Sequence, residues 1–278
     1  MVSKDIIVLY HKNCADGFGA AWAAYNHFKE SAEYIGVTYQ TPPPSGLVGK
    51  EIYILDFGYP EEDIKNLIKN NKRVTVIDHH ITLKDSAALT KDYLFDIKHS
   101  GAVLAWKYFH PQKKLPKLLE YIEDLDLWLF KKKDTRAAIA YINLFDFDFK
   151  IWNKLVKSFE NNNSFSKHIN EGKLILQYQD TVAKDIASKA DLVTFEGIKA
   201  YAVNSPVIRD YVAEILYKKV PPMSIVWYET GGYKIFSLRS DGSVDVEKMA
   251  AKYCGGGHKA AAGFKIKATE KLPFTLKK

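Results

Sequence analysis

Residues 74–80 read Val-Thr-Val-Ile-Asp-His-His, a β-branched apolar run that stops on one acid and two imidazoles. A buried parallel strand ending there would deliver Asp78, His79 and His80 to the rim of a sheet, where α/β proteins hold their ligands. Three further apolar runs end on acids or lead into them. Ile6 to Tyr10 precedes His11 and Asp16, Ile52 to Leu55 ends at Asp56, and Leu94-Phe95 ends at Asp96. Carboxylate oxygens beside neutral imidazoles suit Mn²⁺, Fe²⁺ or Zn²⁺, and two such ions can share one carboxylate, so the chemistry indicated is dinuclear hydrolysis. For a lone His-His pair, solvated or satisfied side chains would be an equally good reading. Several acid-bearing strand ends favour one metal site.

The elements that must position these residues alternate. In the first half, short apolar runs alternate with candidate helices at Gly17 to Phe28, Pro60 to Asn70, Gly101 to Phe109 and Leu115 to Asp124, as expected for a parallel sheet covered by helices. Thr41-Pro42-Pro43-Pro44-Ser45-Gly46 reads as a loop crossing the sheet surface. From Asp134 to about Ala190 the pattern turns helical, with Ile151, Leu155 and Phe159, then Ile169, Leu174, Ile175, Tyr178, Val182 and Ile186 at three- and four-residue spacing. Asn161-Asn162-Asn163-Ser164 is expected to break it in two. Phe145, Phe147, Phe149 and Trp152 read as core rather than as a base-stacking platform. The last stretch returns to strands at Ala200 to Val203, Ser224 to Tyr228 and Tyr233 to Leu238. After them come Arg239-Ser240, a guanidinium fork beside a hydroxyl, and Gly255-Gly256-Gly257-His258, whose amides could approach an anion. Taken alone, that glycine run reads better as a tight turn followed by a small-residue helix.

At 278 residues and 47% hydrophobic composition, the chain can bury two cores. It has no apolar run of eighteen residues, and Met1-Val2-Ser3-Lys4-Asp5 leads straight into a strand, so the expectation is a cytoplasmic protein with no membrane association. Cys14 and Cys254 are too few for a disulfide framework. Residues 1–130 carry 15 basic against 17 acidic side chains, and residues 131–278 carry 25 against 16. A basic second half facing an acidic, metal-bearing first half would suit a phosphate-bearing substrate. Lys131-Lys132-Lys133 and the Lys277-Lys278 tail read as solvated runs, and nothing resembles a long-duplex DNA reader.

Taken in order, His11-x-x-Cys14-x-Asp16-Gly17, Ile54-Leu55-Asp56, Asp78-His79-His80, Ser100-Gly101-Ala102, Asp124-Leu125-Asp126, Ser237-Leu238-Arg239-Ser240, Val244-Asp245-Val246 and Gly255-Gly256-Gly257-His258 resemble the DHH phosphoesterases that carry the DHH-associated C-terminal domain. The resemblance spans nearly the whole chain. It implies an α/β protein with a parallel-sheet DHH domain at 1–133, a helical connector at 134–190 and a smaller mixed-sheet α/β domain at 191–278, with the active site in the interdomain cleft. It further implies that Asp16, Asp56, His79 and either Asp126 or Asp124 hold one ion, Asp56 bridging to a second completed by His11. Asp126 is preferred because Asp-x-Trp recurs in some members. Asp78 would orient an imidazole, and His80 would contact the scissile phosphate. Arg239, Ser240, the amides of Gly255, Gly256 and Gly257, and His258 would grip substrate phosphate. Where the family carries an earlier acid, this chain has Cys14, either a thiolate ligand or a small spacer, with the spacer slightly favoured.

The function implied is metal-dependent hydrolysis of phosphodiester bonds in short oligonucleotides or small nucleotides, as in the similar nano-RNA phosphodiesterases and single-strand exonucleases. The cofactor expected is one or two Mn²⁺ ions, with Zn²⁺, Fe²⁺ or Mg²⁺ as alternatives. A phosphomonoesterase or polyphosphate hydrolase, and a nucleotide-binding regulatory protein with reduced turnover, remain as other readings. A homodimer is left open.

Overall fold

The computed structural model describes residues 4–38 and 41–276, so the readings placed on Met1-Val2-Ser3 and on Lys277-Lys278 lie outside the described residues. The chain divides into two compact units between Ile175 and Leu176. The first contains β1 (Ile6–His11), α1 (Ala15–Phe28), β2 (Ala32–Val37), β3 (Glu51–Leu55), α2 (Glu61–Asn70), β4 (Arg73–Asp78), α3 (Lys84–Ala87), β5 (Asp92–Phe95), α4 (Gly101–Phe109), α5 (Lys117–Asp126), α6 (Thr135–Ile142) and α7 (Phe149–Glu160). Helix α8 (Asn162–Ser188) continues into the second unit.

The first sheet has the order β2-β1-β3-β4-β5, all parallel. Its order reverses between β1 and β3, so the crevice at the C-terminal ends of those two strands is the natural ligand position. Alternation along the strands fills both faces. Ile7, Leu9, Ile52, Ile54, Val74 and Val76 pack with Ile64 and Leu67 of α2 on one face. On the other, Tyr53 meets Phe28 of α1 and Phe109 of α4 at ring distances of 5.1 and 5.5 Å.

Strand β2 carries a glutamate and a glycine, lies at the sheet edge and has no clear alternating pattern, which hides it from sequence reading. The connection from β2 to β3 passes from one side of β1 to the other, with no helix among its described residues. It contains the Thr41–Gly46 segment, and its Leu47 packs against the core.

The expected break at Asn161–Ser164 narrows to Asn161, whose Oδ1 accepts the Ser164 amide at 3.0 Å, so the remaining polar residues start α8. Trp152 is fully buried and Phe149 stacks on Tyr25 at 4.3 Å, in keeping with a core role, whereas Phe147 is exposed at the rim.

The second unit adds β6 (Asp191–Phe195), β7 (Ile198–Asn204), α9 (Arg209–Lys219), β8 (Met223–Thr230), β9 (Tyr233–Ser240), α10 (Val246–Ala251), β10 (Gly256–His258), β11 (Ala261–Lys267) and β12 (Thr275–Leu276). Its seven-stranded mixed sheet has the order β10-β11-β9-β8-β7-β6-β12, with β7 and β8 parallel. Phe195, Ile225, Phe236, Leu238 and Phe264 form its main core with Val246 and Ala250 of α10. Ala183 and Ala187 of α8 pack with Val212, Ala213 and Leu216 of α9 in a second cluster. The small residues after Gly257 are a strand, not the helix expected. Ala261 and Ala262 pair with Arg239 and Leu238, so β11 lies between β9 and β10. No helix among the described residues is long and apolar enough to cross a membrane.

Candidate metal centre

The C-terminal ends of β1, β3 and β4 bring His11, Asp56 and His79 together. His79 Nε2 lies 3.3 Å from Asp56 Oδ1, 3.6 Å from Asp126 Oδ2 and 3.8 Å from Asp16 Oδ2. His11 Nδ1 lies 3.4 Å from Asp56 Oδ2. Asp56 therefore turns one oxygen toward each histidine. It occupies the left-handed region at φ 62° as the chain leaves β3, a conformation that aspartate tolerates better than most residues.

Two glycines make this convergence sterically feasible. A Cβ on Gly17 would stand 2.2 Å from the His11 carbonyl oxygen, so glycine lets α1 start directly against the end of β1. A Cβ on Gly101 would stand 2.5 Å from Asp56, so only glycine at the start of α4 leaves room for that carboxylate. The same helix start holds Asp16, whose two oxygens accept the amides of Gly101 at 2.7 Å and Ala102 at 3.0 Å. An acid at a helix N-terminus satisfies amides that have no partner within the helix. Ser100 caps that helix through the Val103 amide.

Asp78 faces a different task. Its Oδ1 accepts the amides of His79 at 2.8 Å and His80 at 3.3 Å and lies 2.7 Å from His80 Nδ1. Burial lowers the His80 pKa, but the Asp78 hydrogen bond and charge outweigh it and push the imidazole up to about 9. Asp124 and Asp126 separate cleanly, although they stand two residues apart on α5. The Asp124 carboxylate accepts the amides of Lys131 at 2.8 Å and Lys132 at 3.1 Å and the Thr135 hydroxyl, so it clasps the following turn. Asp126 is the one beside His79. Asp96 likewise closes a turn through the Lys98 amide at 2.9 Å.

Among the described residues, three sets place donor atoms within 4.8 Å of one another: Asp56, Asp78, His79 and His80; His11, Cys14 and Asp56; and Asp16, His79 and Asp126. Their electrostatics fit a divalent cation. Burial, then Asp56 and Asp126, drive the Asp16 carboxyl well above its usual range. Burial and Asp56 raise Asp126 as well. Asp56 goes the other way, because the attraction of the His11 and His79 imidazoles beside it overcomes its burial. Asp56 Oδ1 and Asp78 Oδ2 are buried without a hydrogen bond. Crowded carboxylates with unsatisfied oxygens and neutral-capable imidazoles are the donor set of an Mn²⁺, Fe²⁺ or Zn²⁺ site. Cys14 is half-buried at the start of α1 and belongs to the set with His11 and Asp56. Burial and then Asp56 push its thiol far above the usual range.

In the second unit, Arg239 of β9, Ala261 of β11 and His258 of β10 stand in one cross-strand row, so Arg239 and His258 share a face. The Arg239 guanidinium lies 2.6 Å from Asp210 Oδ1. Ser240 and Gly255 do not have the open groups that phosphate binding expected of them. The Ser240 hydroxyl is buried, donating to the Val244 carbonyl at 3.1 Å and accepting the Gly242 amide, while the Gly255 amide donates to the Ala250 carbonyl at 2.9 Å. Gly256 and Gly257 lie on edge strand β10.

Sequence reading does not single out Glu123, which accepts the Ser100 amide at 3.0 Å and pairs with His99 at 3.0 Å, fastening the segment before α4. No motif marks it. The Lys131–Lys133 run is more than a solvated face, because Lys132 Nζ also pairs with Glu120 at 2.7 Å.

Residues 193–278 match the DHHA1 domain. An uncharacterised protein of Acanthamoeba polyphaga mimivirus is 28% identical over 96% of this chain and 69% of its own length. Among solved structures, the DHH domain of a member of the s1p family of ribosomal proteins is similar at TM-score 0.59 and 14% identity, over 94% of this chain and 82% of that one. The pGpG-specific phosphodiesterase PggH from Vibrio cholerae is similar at TM-score 0.50 and 14% identity, over 95% and 94%. An exopolyphosphatase-related protein from Bacteroides fragilis is similar at TM-score 0.50 and 15% identity, over 97% and 88%. At such identities the structural likeness speaks to fold alone: the chain shares the fold of these DHH-domain and phosphoesterase-related proteins, and its residues 193–278 carry the match to the DHHA1 domain.

Proposed function

We propose that the protein is a divalent-metal-dependent phosphoesterase that hydrolyses phosphodiester bonds in short oligonucleotides or small nucleotides. The observation that carries this reading is the division of Asp56, one oxygen toward His79 and the other toward His11, which is how a carboxylate shared between two ions is placed. Asp16, Asp56, His79 and Asp126 would hold one ion, and Asp56 and His11 the other, with Cys14 beside them as a small spacer and Mn²⁺ the best fit to a donor set rich in oxygen. When bound, such ions lower the pKa of water and polarise phosphoryl oxygens.

The protein's own groups do the rest. The start of α4 fixes Asp16 through two amides, which holds a ligand without a mobile side chain between them. Asp78 fixes the ring of His80 and keeps it protonated, giving a positive donor suited to a phosphate oxygen as charge builds on it. Within the second unit, Arg239 and His258 form a separate pair suited to a phosphate, with Asp210 setting the guanidinium's direction.

The test is a panel of di- to pentanucleotides, cyclic dinucleotides, phosphorylated adenosines and polyphosphate, each assayed with Mn²⁺. Preferential cleavage of short oligonucleotides supports the reading. Turnover confined to phosphomonoesters or polyphosphate would replace it, and tight nucleotide binding without turnover would indicate a regulatory protein.

A further inference from the structure

Helix α5 ends at Asp126, and the eight residues before α6 form a turn with unusual backbone. Trp128, Phe130 and Asp134 all lie in the left-handed region, at φ 55°, 48° and 67°. That region is costly for bulky side chains and persists only where surrounding structure imposes it. Burial does not impose it here, since Trp128 is 55% exposed and Leu129 42%. Asp124 does. Its carbonyl accepts the amides of Leu129 at 2.9 Å and Phe130 at 3.3 Å, while its carboxylate accepts those of Lys131 and Lys132 and the Thr135 hydroxyl. A buried acid is thus spent on holding two rings in place near the surface. The rings meet edge to face at 4.8 Å and 75°, and the Arg136 guanidinium lies 5.6 Å from the Trp128 centroid and 4.8 Å from that of Phe130. Trp128 stands two residues beyond Asp126, whose carboxylate faces His79.

Because the two rings stand nearly at right angles, the flat surface on offer is that of the exposed Trp128 indole, braced by Phe130 and the Arg136 guanidinium and suited to a planar ligand. We propose that Trp128, Phe130 and Arg136 form a platform on which the base of a nucleotide substrate stacks while its phosphate is held at the acid–histidine centre. The inference rests on the phosphodiesterase reading above and adds the substrate class: a base-bearing phosphodiester, favoured over a base-free one. Because every base has a π face, the platform discriminates little between bases.

The test uses the full chain as wild type, Trp128→Ala, Trp128→Phe and, as a control, Tyr178→Ala on the exposed face of α8. The substrates are the dinucleotide pApA and its abasic counterpart, compared by kcat/KM with Mn²⁺. The wild type is expected to favour pApA by about tenfold or more. Trp128→Ala should bring the ratio near one, Trp128→Phe should keep most of it, and Tyr178→Ala should leave it unchanged. A ratio that survives Trp128→Ala, or a wild type with no preference, overturns the platform. If the wild type cleaves neither compound, the hydrolytic reading has failed separately, and the platform is judged on pApA binding without turnover. Binding about tenfold weaker in Trp128→Ala supports it; equal binding, or none in the wild type, overturns it.

Discussion

The parallel sheet of the first unit carries a carboxylate centre at each end, and the two are built on opposite principles. At the N-terminal ends of β4 and β5, Asp92 sits opposite Thr75 and receives the Arg73 guanidinium, the Thr75 hydroxyl at 3.1 Å and the Tyr108 hydroxyl at 2.6 Å. Burial raises its carboxyl, but the hydrogen bonds from Tyr108 and Arg73 prevail and hold it below the usual range. At the C-terminal ends, Asp16, Asp56 and Asp126 crowd around His79, and Asp16 is driven upward by burial and by its neighbours. The first centre is balanced and fastens an edge strand. The second gathers like charges that call for an external cation. An acid at a strand end is therefore not in itself a sign of function; its electrostatic imbalance is.

The strongest way to break this contrast is to remove Asp56. Asp56→Ala is expected to lower kcat/KM by more than about a hundredfold, since even the groups that orient metal ligands cost up to that much when lost. Metal analysis of the dialysed variant should show reduced divalent-ion content. Normal content and activity would mean that Asp56 is not shared between ions. Next in size is the stability gained from the metal. Mn²⁺ at a hundred times its Kd should stabilise the stripped wild type by about 2.7 kcal/mol, read as a rise in Tm. Asp56→Ala should lose that rise and Asp92→Asn should keep it.

Asp92→Asn tests the balanced end, with an expected cost of about 1.5–3 kcal/mol in urea unfolding, the range for lost hydrogen bonds to a charged group. Because the folded carboxyl titrates below the unfolded value of 3.8, its contribution is present above that pH and is lost as pH falls through the lower folded range. The gap between wild type and Asp92→Asn should thus shrink in strong acid, and a constant gap would show that the charge is not what matters. The smallest effect concerns Cys14. Cys14→Ser should keep Mn²⁺-supported hydrolysis within about threefold while weakening Zn²⁺ binding, and Cys14→Asp should raise Mn²⁺ affinity, because oxygen suits the harder ion. An inactive but folded Cys14→Ser protein would make the thiol an essential ligand.

The tips of β1, β3 and β4 are legible in the sequence because each is a continuous β-branched or aliphatic run that stops on a polar residue, the mark of a strand buried on both faces. What such a run does not reveal is where the terminal side chain turns. Asp96 follows the same kind of run yet closes a local turn, and Asp124 and Asp126 share a helix end but split between clasp and cluster. Ser240 and the Gly255 amide look available in the text because their partners, Val244 and Ala250, become partners only in the folded turn. Ala261-Ala262 reads as helix by propensity, but sheet register overrides it. Trp128 enters the sequence reading only as the tryptophan of the Asp-x-Trp pattern that favours Asp126, and Phe130 not at all, since neither their left-handed backbone nor its bracing by Asp124 has a signature in the sequence.

Hydrolysis is proposed to depend on cations held by the acid–histidine centre. This dependence is tested most directly by stripping the protein of metal and following pApA cleavage as Mn²⁺ is titrated back, with bound Mn²⁺ measured in the same samples. No cleavage is expected without metal, and the rate should rise in step with occupancy, with both responses lost in Asp56→Ala. Undiminished cleavage by the stripped protein in chelator, or full Mn²⁺ occupancy without hydrolysis of any phosphoester, would contradict it.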